Sequence, residues 1–92
     1  SVGATNRYND RASYSNYGKN LDILAPGGEY MGITTIDIRA DDGYVSGDYD
    51  FYNSSNPFAG TSASAPIVTG IIALMLEKNP NLTRVEIENI LK

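Results

Sequence analysis

The residue types best suited to chemistry lie in Gly60-Thr61-Ser62-Ala63-Ser64-Ala65-Pro66, followed directly by an apolar run from Ile67 to Leu76. A serine hydroxyl becomes a nucleophile only when a base removes its proton. It also needs a fixed, exposed position and donors for the oxyanion that forms on attack. The first turn of a helix offers such donors, because its N–H groups have no partner within the helix and its dipole favours negative charge. Ser62 at that turn can present both its hydroxyl and its own N–H to one carbonyl group. Gly60 leaves room for a substrate backbone to approach, and Ala63 and Ala65 keep the mouth of the site open. Pro66 has a fixed φ and tolerates only an early helical position, so it places the helix start near Ser62. The competing reading of Ser62 or Thr61 is an ordinary N-cap, a far commoner use of these residues.

No base for that serine can be an imidazole of this chain, whose 92 residues include no histidine. Cysteine is absent too, which excludes a disulfide framework and a thiol site. A net charge of −4 gives nucleic-acid binding no electrostatic support. No stretch approaches the roughly 18 apolar residues of a membrane span. The length allows one domain at most. The chain opens without Met and without a basic-then-apolar leader, which leads us to expect an internal piece of a longer protein.

Gly60-Thr61-Ser62-x-Ser64-Ala65-Pro66, with Gly70 four residues past the proline, resembles the nucleophile signature of the subtilisin-like serine proteases, the subtilases. The wording Gly-Thr-Ser-Ala-Ser-Ala-Pro and its continuation from Gly70 to Thr83 are especially similar to the kexin/furin-like branch. The lack of cysteine weighs slightly against the animal furin-type proteins. Leu21-Asp22-Ile23-Leu24-Ala25-Pro26-Gly27 resembles the family's "Leu-Asp-x-x-Ala-Pro-Gly", and Arg11 to Gly18 resembles its link between two sheet strands. The match is tight over residues 60–83 and looser elsewhere.

The resemblance implies a Ser-His-Asp triad in which Ser62 is the nucleophile. In the family's order the Asp, the His and an oxyanion Asn precede the Ser, so all three would lie upstream of Ser1. Residues 1–92 would then be the C-terminal part of a catalytic domain, a partial domain that is inactive alone. Gly60 and Thr61 would shape the floor beside the leaving group. The implied substrate is a polypeptide, and the implied location is secreted or at the cell surface of a bacterium. The chemistry needs no cofactor, and a structural calcium ion in the parent is compatible with it. The alternative is a catalytically dead subtilase domain kept as a binding or scaffolding module.

The elements that must position Ser62 follow from the pattern of the chain. Residues 1–5 read as the end of a buried strand and 6–10 as a polar turn. Tyr14 and Tyr17 are either packed loop aromatics, the preferred reading, or substrate contacts. Asn16 and Gly18 suit positive φ. Residues 21–25 form the next strand, which Pro26-Gly27-Gly28 should stop. Asp22 is either a cation ligand or, as we prefer, an acceptor for loop backbone. Residues 31–38 and 44–52 read as a β-ribbon turned at Asp41-Asp42-Gly43. Asp41, Asp42, Asp48 and Asp50 could gather calcium, but they lack the EF-hand pattern, and exposed acids that discourage edge pairing are the better reading. Asn53-Ser54-Ser55 and Asn81-Leu82-Thr83 match N-glycosylation acceptors, which matter only in a eukaryotic secretory host. Phe58-Ala59 stands where many subtilases have an aromatic residue and then Asn.

Residues 63–78 should form a helix buried on most sides, in which Gly70 would be justified by close packing against another backbone. Asn79-Pro80 ends it. A second helix over 82–92 has Thr83 as N-cap, Glu86 three residues on, and Val85, Ile87, Ile90 and Leu91 toward the core. The sum is an α/β fold, the C-terminal portion of a subtilisin-like three-layer α/β/α architecture with a parallel central sheet, plus a β-ribbon and two helices. So small a share of a sheet cannot cover the first helix, so the isolated segment should self-associate through its sheet edge or helix face.

Overall fold

A computed structural model describes residues 1–54 and 56–92 of the chain. Strand β1 spans Val2–Asn6 and β2 spans Ile23–Glu29; they pair in parallel, with Val2 opposite Ile23 and Ala4 opposite Ala25. Helix α1, Thr61–Lys78, lies across both strands. A second helix, α2, covers Arg84–Leu91. Between β2 and α1, β3 (Thr35–Ile36) and β4 (Tyr49–Asp50) form a separate antiparallel pair. The arrangement is α/β with a parallel pair, as the sequence leads one to expect.

Small residues set the distance between helix and sheet. The buried apolar side chains are Ala4, Ala12, Ala25, Ala63, Val68 and Ile87. On α1 the inward positions Ser64, Val68 and Ile72 recur every fourth residue, the spacing of one helical stripe. The segment after β1 turns back on it: Ala12 N–H donates to Ala4 O at 2.9 Å, and Ser15 Oγ accepts from Ala4 N–H at 2.9 Å. Residues 12–15 thus satisfy the backbone polar groups on the outer side of β1 at Ala4, which an open edge would leave to solvent or to another chain.

Several expectations change here. Strand β2 does not stop at Pro26 but runs through Pro26-Gly27-Gly28 to Glu29, with a register shift between Thr5 and Asn6 on the partner. An edge position and an irregular register are the conditions under which a strand tolerates Pro. The ribbon is shorter than residues 31–38 and 44–52: among the described residues Thr35 pairs with Asp50 and Ile36 with Tyr49, flanked by backbone bonds from Gly32 N–H to Tyr52 O and from Asp37 N–H to Asp48 O, each 2.9 Å. Its tip is no tight turn at Asp41-Asp42-Gly43, since Gly47 N–H reaches Ala40 O at 2.8 Å and the Asp37 carboxylate accepts from Val45 N–H at 2.9 Å. Positive φ falls on Asn9, at 66°, and on Gly18, but not on Asn16.

Helix α1 is covered on one side only. Ala63, Ser64 and Val68 are buried, whereas Ile71 is 44% and Leu74 66% exposed, and a Cβ added at Gly70 would meet nothing within 4 Å. On α2, Ile87 packs inward, but Val85 and Ile90 face outward instead of toward the core. In both helices apolar side chains exceed what one two-stranded layer can cover. The isolated segment 1–92 is therefore expected to self-associate, with a concentration-dependent mass above 9.9 kDa in sedimentation equilibrium.

The start of α2 follows the expected capping box. Thr83 Oγ1 accepts from Glu86 N–H at 3.3 Å, and the Glu86 carboxylate accepts from Thr83 N–H at 2.8 Å. The Thr83 N–H and hydroxyl hold the Glu86 carboxyl below its ordinary value. A depressed carboxyl adds stability that is present above its unfolded value, near pH 4.3, and is lost as pH falls through the folded value. Amide protection at the first turn of α2 should therefore fall between pH 6 and pH 3, and Glu86→Gln should flatten that dependence in hydrogen exchange.

Candidate active site

Gly60 is the N-cap of α1, with φ 130° and ψ 170°. L-residues with a Cβ rarely adopt that φ, and a Cβ there would meet nothing closer than Ser62 N at 3.8 Å, so conformation and not space calls for glycine. Having no side chain, Gly60 leaves the helix without a side-chain cap. Its carbonyl accepts from Ala63 N–H at 3.0 Å and Ser64 N–H at 3.4 Å. Among the described residues the N–H groups of Thr61 and Ser62 find no acceptor, so both are available to a ligand at the positive end of the helix dipole. Ser62 is exposed and Thr61 half-buried. The structure thus brings Gly60, Thr61 and Ser62 together at one uncapped helix start.

Three consecutive carbonyls of β2 hold that helix start in place. Ser64 is fully buried, and its Oγ shares its proton between Ala25 O at 3.1 Å and Pro26 O at 3.0 Å. Gly60 N–H donates to Gly27 O at 2.7 Å, and the Tyr14 hydroxyl donates to the same oxygen at 2.6 Å. No side chain fits at position 27: an added Cβ would lie 2.4 Å from Ala4 Cβ and 2.7 Å from Tyr14 Oη. Burial pushes the Tyr14 phenol above its ordinary value, and the negative charge of Glu29 adds to the effect. The Glu29 carboxyl is itself held low, first by the hydroxyl of Ser13 and then by its N–H at 2.9 Å.

The anchoring roles of Ser64, Gly27 and Tyr14 are not in the sequence reading. For Ser64 the signal was present, since Ser64, Val68 and Ile72 share one stripe. The other loop aromatic departs from expectation: Tyr17 is 79% exposed, with the Arg11 guanidinium 4.8 Å from its ring centre. The Asp22 carboxylate accepts from Ser1 N, from Ser1 Oγ at 3.1 Å and from Lys92 Nζ at 3.0 Å.

Of the ribbon acids, Asp41, Asp42 and Asp48 are exposed, as expected, and Asp50 is not. Asp41 accepts from Ser46 Oγ at 2.6 Å, Asp48 from Ala40 N–H at 3.1 Å, and Asp50 is buried. Asp50 accepts from Phe58 N–H at 2.7 Å, while Phe58 O accepts from Ile33 N–H at 2.9 Å, so the approach to Gly60 is fixed on the ribbon. Among the described residues no three His, Cys, Asp or Glu side chains gather as a metal site. The Asn53-Ser54-Ser55 triplet includes residue 55, which lies outside the described residues.

Comparison with known proteins bears on the family and the fold. The subtilase family model matches residues 1–92. The chain is 41% identical over 91 residues to alkaline elastase YaB of Bacillus sp. (strain YaB), covering 99% of this chain and 20% of that protein. It is 38% identical over 92 residues to a cell wall-associated protease of Bacillus subtilis (strain 168), covering 100% of this chain and 8% of that protein. A crystal structure of a cold adapted subtilisin-like serine proteinase superposes with a TM-score of 0.69 at 32% identity, over 96% of this chain and 26% of the other. The chain thus spans about a quarter or less of the length of each.

The contrast between the exposed serine and the buried one can be measured. Ser64→Ala leaves buried carbonyls without their donor and should cost about 1–3 kcal/mol in denaturant unfolding of the full-length protein. Ser62→Ala, at an exposed position, should change stability by less than about 0.5 kcal/mol.

Proposed function

The chain belongs to the subtilase family, and on that premise we propose that it is the nucleophile-bearing part of a serine endopeptidase. The observation that carries this reading is an exposed Ser62 on an uncapped helix start, inside the motif Gly60-Thr61-Ser62-Ala63-Ser64-Ala65-Pro66.

Ser62 Oγ attacks the carbonyl carbon of the scissile peptide bond. A histidine supplied from outside residues 1–92 takes the hydroxyl proton and later returns it to the leaving amine, and an aspartate holds that histidine in the productive tautomer. The Ser62 N–H, with an asparagine side chain also supplied from outside, receives the oxyanion as it forms. Such preorganised donors are worth more in a water-excluded site than in solvent. Gly60 and Thr61 form the floor beside the leaving group. Segment 1–92 alone is inactive on this account, because no side chain in it can take up the serine proton at neutral pH as an imidazole does.

The substrate is a polypeptide, and the setting is outside the cytoplasm of a bacterium, in keeping with a relative whose name places it at the cell wall. Calcium in the parent would be structural and would take no part in the bond-breaking step.

Treatment of the full-length protein with a fluorophosphonate probe should give a covalent adduct at Ser62, seen by mass spectrometry, and none on segment 1–92. Ser62→Ala should abolish labelling and lower kcat by roughly 10^6-fold, a magnitude measured on the subtilisin nucleophile itself. A folded, processed full-length protein that takes no label would instead be a catalytically dead domain with a binding role.

A further inference from the structure

A pocket of about 640 Å³ opens between the β3–β4 ribbon and the approach to Ser62. Ile36, Ile38, Tyr44 and Phe58 give it apolar walls, Asp37 and Asp50 line it as well, and Ala59 closes the end nearer Gly60. Ile36 and Tyr44 are 78% and 83% exposed, so the apolar wall stands open.

The charges of the pocket are one-sided. Asp50 is 3% exposed and accepts from Ser54 Oγ at 2.5 Å and from Phe58 N–H. Among the described residues no Lys or Arg lies within ion-pairing distance of Asp50 or Asp37. Asp37 stays ionised because Val45 N–H and Ile38 N–H both donate to it. No trio of ligating side chains is present for a metal ion among the described residues. A long alkyl stem ending in a cation suits apolar walls with carboxylates among them.

The pocket also lies within reach of the nucleophile. Ala59 precedes Ser62 by three positions, so at most about 11 Å of backbone separates them. An extended peptide advances about 3.3 Å per residue, so a side chain roughly two to four residues from the scissile bond reaches the pocket. On the protease reading, in which Gly60 and Thr61 floor the leaving-group side, that residue belongs to the leaving segment.

We propose that this pocket is a specificity site for a lysine or arginine side chain on the leaving-group side of the substrate, its stem against Ile36, Tyr44 and Phe58 and its cation facing Asp50 and Asp37. The proposal rests on the protease reading for its occupant. The test uses the full-length protein and peptides that carry Lys, norleucine or Glu at each of the first four positions past the cleaved bond.

At one of those positions kcat/KM should favour Lys over norleucine by about tenfold and disfavour Glu further. Asp37→Asn and Asp50→Asn should bring the Lys-to-norleucine ratio toward one. Tyr44→Ala, at an exposed site that leaves the fold intact, should lower kcat/KM for Lys and norleucine peptides alike. Equal rates for all three residues at all four positions, or a preference that survives in both Asp variants, would overturn the pocket while leaving the protease reading in place. If no peptide is cleaved and the probe does not label Ser62, the protease reading falls. The same peptides titrated against full-length Ser62→Ala then decide the pocket alone: the order Lys, norleucine, Glu in affinity supports it, and equal affinities overturn it.

Discussion

The placement of Ser62 depends on hydrogen bonds from the start of α1 to three consecutive carbonyls of β2. Ser64 Oγ serves Ala25 and Pro26, and Gly60 N–H serves Gly27. Each such bond contributes only about 1 kcal/mol net, but a buried carbonyl left unpaired costs more. The helix start therefore cannot slide along the strand without stranding polar groups. The small residues follow from the same requirement. A hydroxyl as short as serine reaches a strand carbonyl only if the two backbones come close, and Ala4, Ala25, Gly27 and Ala63 are the residues that allow it. Close approach has a consequence for energetics, because alanine and glycine bury little apolar area. Polar geometry thus carries more of the local stability here than in a leucine-rich core.

Much of this arrangement was legible in the sequence. Pro66 and Gly60 bracket the helix start, and the Thr83–Glu86 pair marks the second helix, because caps and proline act through local backbone chemistry. The two strands were likewise readable from short apolar runs, and their parallel pairing from the resemblance to the subtilases. What was hidden depends on contacts between residues distant in the chain. Gly27 reads as a strand terminator by local rules, yet it is a strand residue whose missing Cβ admits Ala4 and Tyr14. Tyr14 reads as a packed aromatic, yet its hydroxyl shares an acceptor with the N-cap. The ribbon was overestimated at its tip for a related reason: β-branched residues over 33–38 favour extended backbone, but beyond the Asp37 N–H to Asp48 O bond the pairing gives way to a loop folded around the Asp37 carboxylate.

The acids of the ribbon show how one residue type divides its work. Asp37, Asp41 and Asp48 spend their oxygens on backbone and hydroxyl donors within the loop, which replaces the ladder bonds a longer ribbon would have had. Asp50 does something different. From β4 it ties down Phe58, and through Phe58 the chain that enters Gly60. The ribbon is thereby mechanically continuous with the turn that carries Ser62, although the two share no sheet.

On the proposed reading, the exposed outer face of α1 and the need for a base from elsewhere belong together. A nucleophile at the end of a helix needs a rigid helix, and rigidity comes from packing on more than one face. Among the described residues the face through Ser64 and Val68 is packed, while Ile71 and Leu74 stand in solvent. On the proposed reading, the base and the second oxyanion donor arrive with the same body of chain that covers that face. Serine activation then cannot precede completion of the core around α1. A partly folded chain would hold an exposed serine hydroxyl with an ordinary alcohol's reactivity, and the hazard of a premature protease would be limited by the same packing that stabilises the finished one.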